Sequence, residues 1–255
     1  MTALARRAVM TSLAGLPLAA VLADPRLSAL AAAGLETVGL TTPDGHQVKA
    51  ALALPAKAPA PAVLLIHEWW GLNDQIKAVA AELAKEEFVA LGIDLYDGKV
   101  ATDPGTAQSH MEAVDAARAT DTLVAWIDWL KADKRTTGKV ATIGWCFGGG
   151  WSLSASIATP VDATVIYYGR VDRPAADLAR LKGPVLGHFA ERDRWINKDM
   201  VAGFEKAMQE AGRTLTAYEY SADHAFANPT GANYDREDAQ TAWTRTLEFL
   251  RANLA

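Results

Sequence analysis

The run Val140-Ala-Thr-Ile-Gly-Trp-Cys-Phe-Gly-Gly-Gly-Trp151 decides how this chain folds. Residues 140–144 are apolar or small and read as a buried strand. A sharp turn flanked by Gly144 and Gly148 follows, and a helix begins directly after it. The chain's one cysteine, Cys146, sits at the tip of that turn. Glycines two residues to either side fit a strained turn in which neighbouring backbone comes close, because side chains there would clash. A sulfur at a helix N-terminus also faces free N–H groups, which favour an anion. A buried structural thiol ahead of a glycine-rich turn is the plainer alternative.

Strand-like and helix-like segments alternate on both sides of this run. Residues 36–40 and 48–54 read as a hairpin around the turn Pro43-Asp44-Gly45. Residues 62–67 and 88–95 read as strands buried on both faces. Between them, residues 74–86 carry Ile76, Val79, Ala80 and Leu83 at helical spacing. A long amphipathic stretch, 106–130, is expected to be helical and is open to a break in two. Further strands are expected at 163–168, 184–189 and 215–220. Helices are expected at 199–211, ending at Gly212, and at 235–253. This alternation argues for an α/β fold with a doubly wound, mostly parallel sheet and helices on both faces. Chemistry in such sheets collects at the C-terminal strand ends.

The candidate reactive groups lie where that rule puts them. Cys146 follows one strand. Asp193 follows the strand at 184–189, within Ala190-Glu-Arg-Asp-Arg-Trp195. His224 follows the strand at 215–220, within Ser221-Ala-Asp-His-Ala-Phe226. A Cys–His–Asp set is chemically sufficient for acyl transfer. The imidazole takes the thiol proton and returns a proton to the leaving group, while the carboxylate fixes the ring's tautomer and stabilises its cation. Glu191 and Asp223 compete with Asp193 for the acid role. The other histidines are His46, His67, His110 and His188. Of these, His188 lies in an apolar strand and reads as structural, and His46 sits in a solvated turn.

The chain has 255 residues, 50 % of them hydrophobic and 22 % charged, with a net charge of −5. That length suits one large α/β domain. The acidic balance gives no reason to expect nucleic acid. No phosphate-binding glycine motif or Cys/His metal cluster appears, so no cofactor and no metal is expected. Residues 1–34 read as an export signal. Arg6-Arg7 precede an uncharged stretch, 8–23, and Ala29, Ala31, Ala32 and Ala33 offer cleavage options. The adjacent arginines suggest the twin-arginine machinery as a partner in targeting, and a periplasmic or secreted location. The apolar run is too short and too broken for a membrane span. An uncleaved amphipathic helix is the alternative. Residues 35–255 would form the catalytic domain, expected as a monomer.

Strand, Gly-x-Cys-x-Gly turn and helix resemble the nucleophile elbow of the α/β-hydrolases, with Cys in place of Ser. Together with His67-Glu-Trp-Trp-Gly-Leu-Asn73, Asp94-Leu-Tyr-Asp-Gly98, Tyr167-Tyr-Gly169, Glu191-Arg-Asp193 and His224-Ala-Phe226, the chain resembles the dienelactone hydrolase family over residues 36–250. The fold supplies two oxyanion-hole amides, one from the residue after the nucleophile and one from the loop after an early strand. Here these are the backbone N–H groups of Phe147 and Trp69. The resemblance implies cleavage of an enol-lactone or ester through a thioester on Cys146. It also implies that Glu68 contacts the nucleophile and helps control formation of the thiolate. Trp70, Tyr96, Tyr168, Trp195 and Phe226 are candidate pocket walls.

Family members grip a substrate carboxylate with two arginines. Asn228 occupies the position of one, and no arginine occurs in 99–110, where Lys99 cannot give the same bidentate grip. The expected substrate is therefore a small ester or lactone other than the carboxylate-bearing dienelactone. A non-catalytic binding or sensing protein on the same fold, or an acyltransferase, are the competing readings.

Overall fold

The computed structural model describes residues 16–255. Arg6 and Arg7, the basis of the twin-arginine reading, lie outside the described residues. The chain divides into two compact units, residues 1–138 and 139–255. Among the described residues there are eight strands and nine helices.

The first unit opens with α1 (Leu18–Ala23) and α2 (Pro25–Ala33). Asp24 caps α2 through Arg26 N–H, Pro25 occupies the first turn, and Ser28 Oγ donates to Val21 C=O. These helices fall within the expected export segment. They bury Val21, Leu22 and Ala31, and α2 packs on the later helix α3 (Asp74–Lys85). No described helix is long and apolar enough to cross a membrane.

The hairpin forms as the turn residues require: β1 (Glu36–Thr41) pairs antiparallel with β2 (Gln47–Ala53), and Gly45 takes φ +86°. β2 then runs antiparallel to β4 (Val89–Ile93), and β4 runs parallel to β3 (Ala60–Ile66). Both β3 and β4 are almost wholly buried, as their unbroken apolar runs imply. Asn73 caps α3 by accepting Ile76 N–H. The long helical stretch breaks into α4 (Pro104–Glu112) and α5 (Ala116–Ala132). Asp115 forces the break by taking an extended conformation and capping α5 through Arg118 N–H.

The second unit carries β5 (Thr136–Trp145), α6 (Phe147–Ala158), β6 (Ala163–Tyr167), the single turn α7 (Ala175–Leu178) and β7 (Val185–Ala190). α8 (Lys198–Glu210), β8 (Leu215–Tyr220) and α9 (Arg236–Leu254) follow. Strands β5 to β8 pair in chain order and all run parallel. Their C-terminal ends therefore lie at one edge. A core of Leu153, Ile166, Val185, Phe189 and Phe204 packs under that edge and makes it a rigid platform.

Candidate active site

Cys146 stands between β5 and α6 with φ 53° and ψ −116°. A non-glycine residue at positive φ is strained, and such strain persists only where the surroundings impose it. Cys146 N–H donates to Tyr167 C=O at 3.0 Å, tying the tip of the turn to the end of β6. The flanking glycines explain why the turn closes. A Cβ on Gly144 would lie 2.0 Å from the Gly148 carbonyl oxygen, and one on Gly149 would lie 2.7 Å from that of Tyr167. Phe147 is the first residue of α6, so its N–H lies in the first turn of that helix, directly after the nucleophile candidate.

The other two expected members meet Cys146. His224 Nε2 lies 3.2 Å from Cys146 Sγ, and His224 Nδ1 lies 2.5 Å from Asp193 Oδ2. Asp193 is buried, and its second oxygen accepts the N–H groups of Trp195 at 2.8 Å and Ile196 at 3.0 Å. Burial opposes the charge on Asp193, but the bonds from His224, Ile196 and Trp195 hold its pKa below the usual carboxylate range. Burial likewise opposes a charged His224. Hydrogen bonds and charge attraction from Asp193 and Cys146 overcome it and push the histidine up to about 10. The arrangement thus favours an imidazolium beside the sulfur. It can attack a carbonyl carbon and then protonate a leaving group.

Backbone bonds continue the β7–β8 pairing into the two loops that hold this pair. Glu191 N–H donates to Tyr220 C=O at 2.9 Å, and Arg192 N–H donates to Ala222 C=O at 3.1 Å. Arg192 also clamps the loops from outside. Its Nε donates to Asp223 Oδ2 at 3.1 Å and its Nη1 to Ser221 C=O at 2.9 Å. Asp223 is thereby engaged away from the imidazole, and Glu191 is exposed, so Asp193 alone of the three acidic candidates bonds His224. The Arg192 clamp had no signal in the sequence, because an arginine near two loops is unremarkable until the loops are adjacent.

The candidate walls divide. Trp195 is 68 % exposed with its ring edge-on to His224, centroids 5.1 Å apart. Tyr168 and Phe226 are fully buried. Tyr168 packs against His224 at 5.2 Å and Phe226 against Tyr168 at 5.5 Å, so they back the imidazole and present no open surface. Asn228, at the expected arginine position, is also buried. Its Oδ1 accepts from Thr230 N–H at 3.0 Å and Thr230 Oγ1 at 2.7 Å, which holds the 225–230 turn.

Glu68, Trp69, Trp70 and Tyr96 belong to the first unit. Glu68 is buried just past β3, and Tyr96 is buried against His67 with ring centroids 4.6 Å apart. Trp69 and Trp70 meet edge to face at 5.0 Å. Fully buried His67 bonds Glu68 C=O through Nδ1 at 2.6 Å and accepts Leu95 N–H at Nε2, which fixes its tautomer. The Glu68 carbonyl also accepts Gly71 N–H at 3.2 Å. Carbonyl and N–H of one trans peptide point oppositely, so these bonds fix the direction of Trp69 N–H.

The dienelactone hydrolase family model matches residues 48–254. The chain belongs to that family. A protein of Aquifex pyrophilus named usf is 34 % identical over 227 residues, covering 83 % of this chain and 96 % of that protein. A carboxymethylenebutenolidase of Pseudomonas sp. (strain P51) is 29 % identical over 226 residues, covering 85 % and 94 %. The fold is that of a solved dienelactone hydrolase-like promiscuous phosphotriesterase, P91, from metagenomic libraries. It superposes with a TM-score of 0.79 at 23 % identity over 87 % of this chain and 99 % of that one. The expected α/β-hydrolase fold is thus present, and this member of the family is a hydrolase of carboxylic esters or lactones.

Proposed function

We propose that this hydrolase works through a thioester on Cys146, with His224 and Asp193 completing the triad. The observation that carries the reading is the continuous chain Sγ–Nε2–Nδ1–Oδ2, with links of 3.2 and 2.5 Å, on a strained turn at a helix N-terminus. The sulfur attacks the ester carbonyl carbon, and the carbonyl electron pair moves onto oxygen. The N–H of Phe147 and, by resemblance, that of Trp69 stabilise this oxyanion. As the oxyanion collapses, the C–O bond breaks and the Nε2 proton of His224 passes to the departing alkoxide. In the second half His224 takes a proton from water. The hydroxide attacks the thioester, and the acid leaves as the sulfur regains its negative charge. The role of Glu68 as a control on the resting sulfur is part of the same proposal.

The preferred substrate is an ester or lactone without a carboxylate grip. Asn228 spends its carbonyl oxygen on Thr230, and an amide cannot supply the charge or the fork of an arginine. Export through the twin-arginine route, with residues 1–34 as the signal, completes the proposal. N-terminal sequencing of the exported protein tests it, and an intact N-terminus would reject it.

Intact-protein mass spectrometry after rapid mixing with p-nitrophenyl acetate tests the chemistry. One acetyl group on Cys146, formed with a burst of nitrophenol and absent in Cys146→Ala, is expected. Turnover retained by Cys146→Ala would refute the thioester. An acyl-enzyme that empties only onto added alcohol would reassign the protein as an acyltransferase, and no reaction in a folded protein would favour the binding role.

A further inference from the structure

Behind the triad lies a polar cluster with no part in the chemistry above. Tyr167 is the last residue of β6, His188 lies within β7, and Tyr220 is the last residue of β8. All three side chains are buried; Tyr167 and His188 meet the buried Thr246 of α9, and Tyr220 joins them through His188. Tyr167 Oη lies 2.7 Å from Thr246 Oγ1, and His188 Nε2 lies 3.0 Å from the same oxygen. His188 Nδ1 lies 2.8 Å from Tyr220 Oη, which also accepts Arg245 Nη1 at 3.1 Å. The Arg245 guanidinium in turn stacks on Tyr218, 3.8 Å from the ring centroid.

The backbones of the same residues hold the site. Tyr167 C=O accepts Cys146 N–H at 3.0 Å, and His188 C=O accepts Tyr168 N–H at 2.8 Å. Tyr220 C=O accepts both Glu191 N–H at 2.9 Å and Ala222 N–H at 2.7 Å. Glu191 and Ala222 each lie two residues before a triad member. Three strands whose backbones hold the loops of Cys146, Asp193 and His224 are therefore joined through their side chains to one helix: Tyr167 and His188 directly at the Thr246 hydroxyl, and Tyr220 through His188.

Burying so many polar groups is a poor way to gain stability. Apolar replacements of similar volume often cost nothing, whereas hydrogen-bond directions fix geometry. We infer that the cluster Tyr167–His188–Tyr220–Thr246 is a positioning device, with Thr246 as its hub. It sets the distance from Cys146 Sγ to His224 Nε2 without touching substrate. This inference rests on the triad proposed above, and its test separates the two.

The probe is iodoacetamide, which alkylates Cys146 without any need for a substrate. Its rate against pH is measured in the full chain and in Thr246→Val, Thr246→Ser and Tyr220→Phe, each well below its melting temperature. Acylation by p-nitrophenyl acetate is followed in parallel. Loosening the hub should slow acylation about tenfold and shift the alkylation profile in Thr246→Val, with KM nearly unchanged, because small misplacements of reacting groups cost large factors. Thr246→Ser should restore both to within about twofold, since it keeps the hydroxyl. Tyr220→Phe should show the same direction of change and serves if Thr246→Val does not fold. A folded Thr246→Val or Tyr220→Phe with wild-type alkylation profile and acylation rate would overturn the positioning role, whatever its melting temperature. Shifted alkylation in a protein whose wild type never acylates would instead refute the triad chemistry and leave the positioning role standing.

Discussion

Two histidines at the same edge of the second unit end in opposite charge states. His188 is fully buried and bonds two hydroxyls, on Tyr220 and Thr246. Burial, reinforced by the nearby Arg245 charge, pushes it down to about 3. His224 is also largely shielded, but it bonds a carboxylate and a sulfur, and it is pushed up to about 10. Burial acts in the same direction on both. The charge of the partner decides the outcome, so one fold edge supplies a neutral bolt and a cationic acid from the same side chain.

The largest effect should come from making His224 resemble His188. Asp193→Asn replaces the charged partner by a neutral one and leaves Trp195 and Ile196 N–H groups facing an amide oxygen. We expect kcat/KM to fall about 10³-fold or more in steady-state assays. A loss under tenfold would mean that the partner's charge is not what matters.

The two histidines should also pull stability in opposite directions with pH. The folded pKa of His188 is depressed to about 3, so the unfolded chain binds the extra proton first. Its contribution is complete above the unfolded value of about 6.5 and is lost as pH falls toward 3. The loss is at most about 5 kcal/mol. Urea titrations from pH 7 to 4 should show this limb in the wild type and a flatter one in His188→Gln. The folded pKa of His224 is raised to about 10, so its contribution is present below about 6.5 and is lost as pH rises toward 10. His224→Ala should flatten that alkaline limb. Loss of the acid limb in His224→Ala would reverse the assignment.

A control should leave the contrast untouched. A chain starting at residue 35 lacks α1 and α2, whose Val21, Leu22 and Ala31 are buried. It should lose about 2 kcal/mol in urea unfolding while both pH limbs keep their shape. Displaced limbs would tie the N-terminal helices to the site. The smallest effect belongs to Arg192→Ala. Its pair with Asp223 is exposed, so stability should change by about 0.5 kcal/mol and kcat by less than about threefold.

Much of the His224 side of this comparison was legible in the sequence. Cys146, Asp193 and His224 each follow a strand, where a parallel sheet collects its chemistry, and periodicity placed those strands within a few residues. The His188 side was legible only in outline. An apolar strand identified the histidine as structural. Its partners Tyr167, Tyr220 and Thr246 lie 21, 32 and 58 residues away, and no spacing rule joins them. The aromatic walls were half legible for a similar reason. Composition marks Tyr168, Trp195 and Phe226 alike, and only packing separates the exposed indole from the two buried rings. The break at Asp115 and the helices at 18–33 were open alternatives, because capping and docking depend on what the chain meets in space.

The most direct test of the contrast is nitrogen-15 NMR of the histidine side chains in the resting enzyme from pH 4.5 to 9. His224 should appear as an imidazolium at pH 7, with both ring nitrogens protonated, and His188 as a single neutral tautomer throughout. A His224 that is neutral at pH 7, or a His188 that titrates near 6.5, would contradict the account.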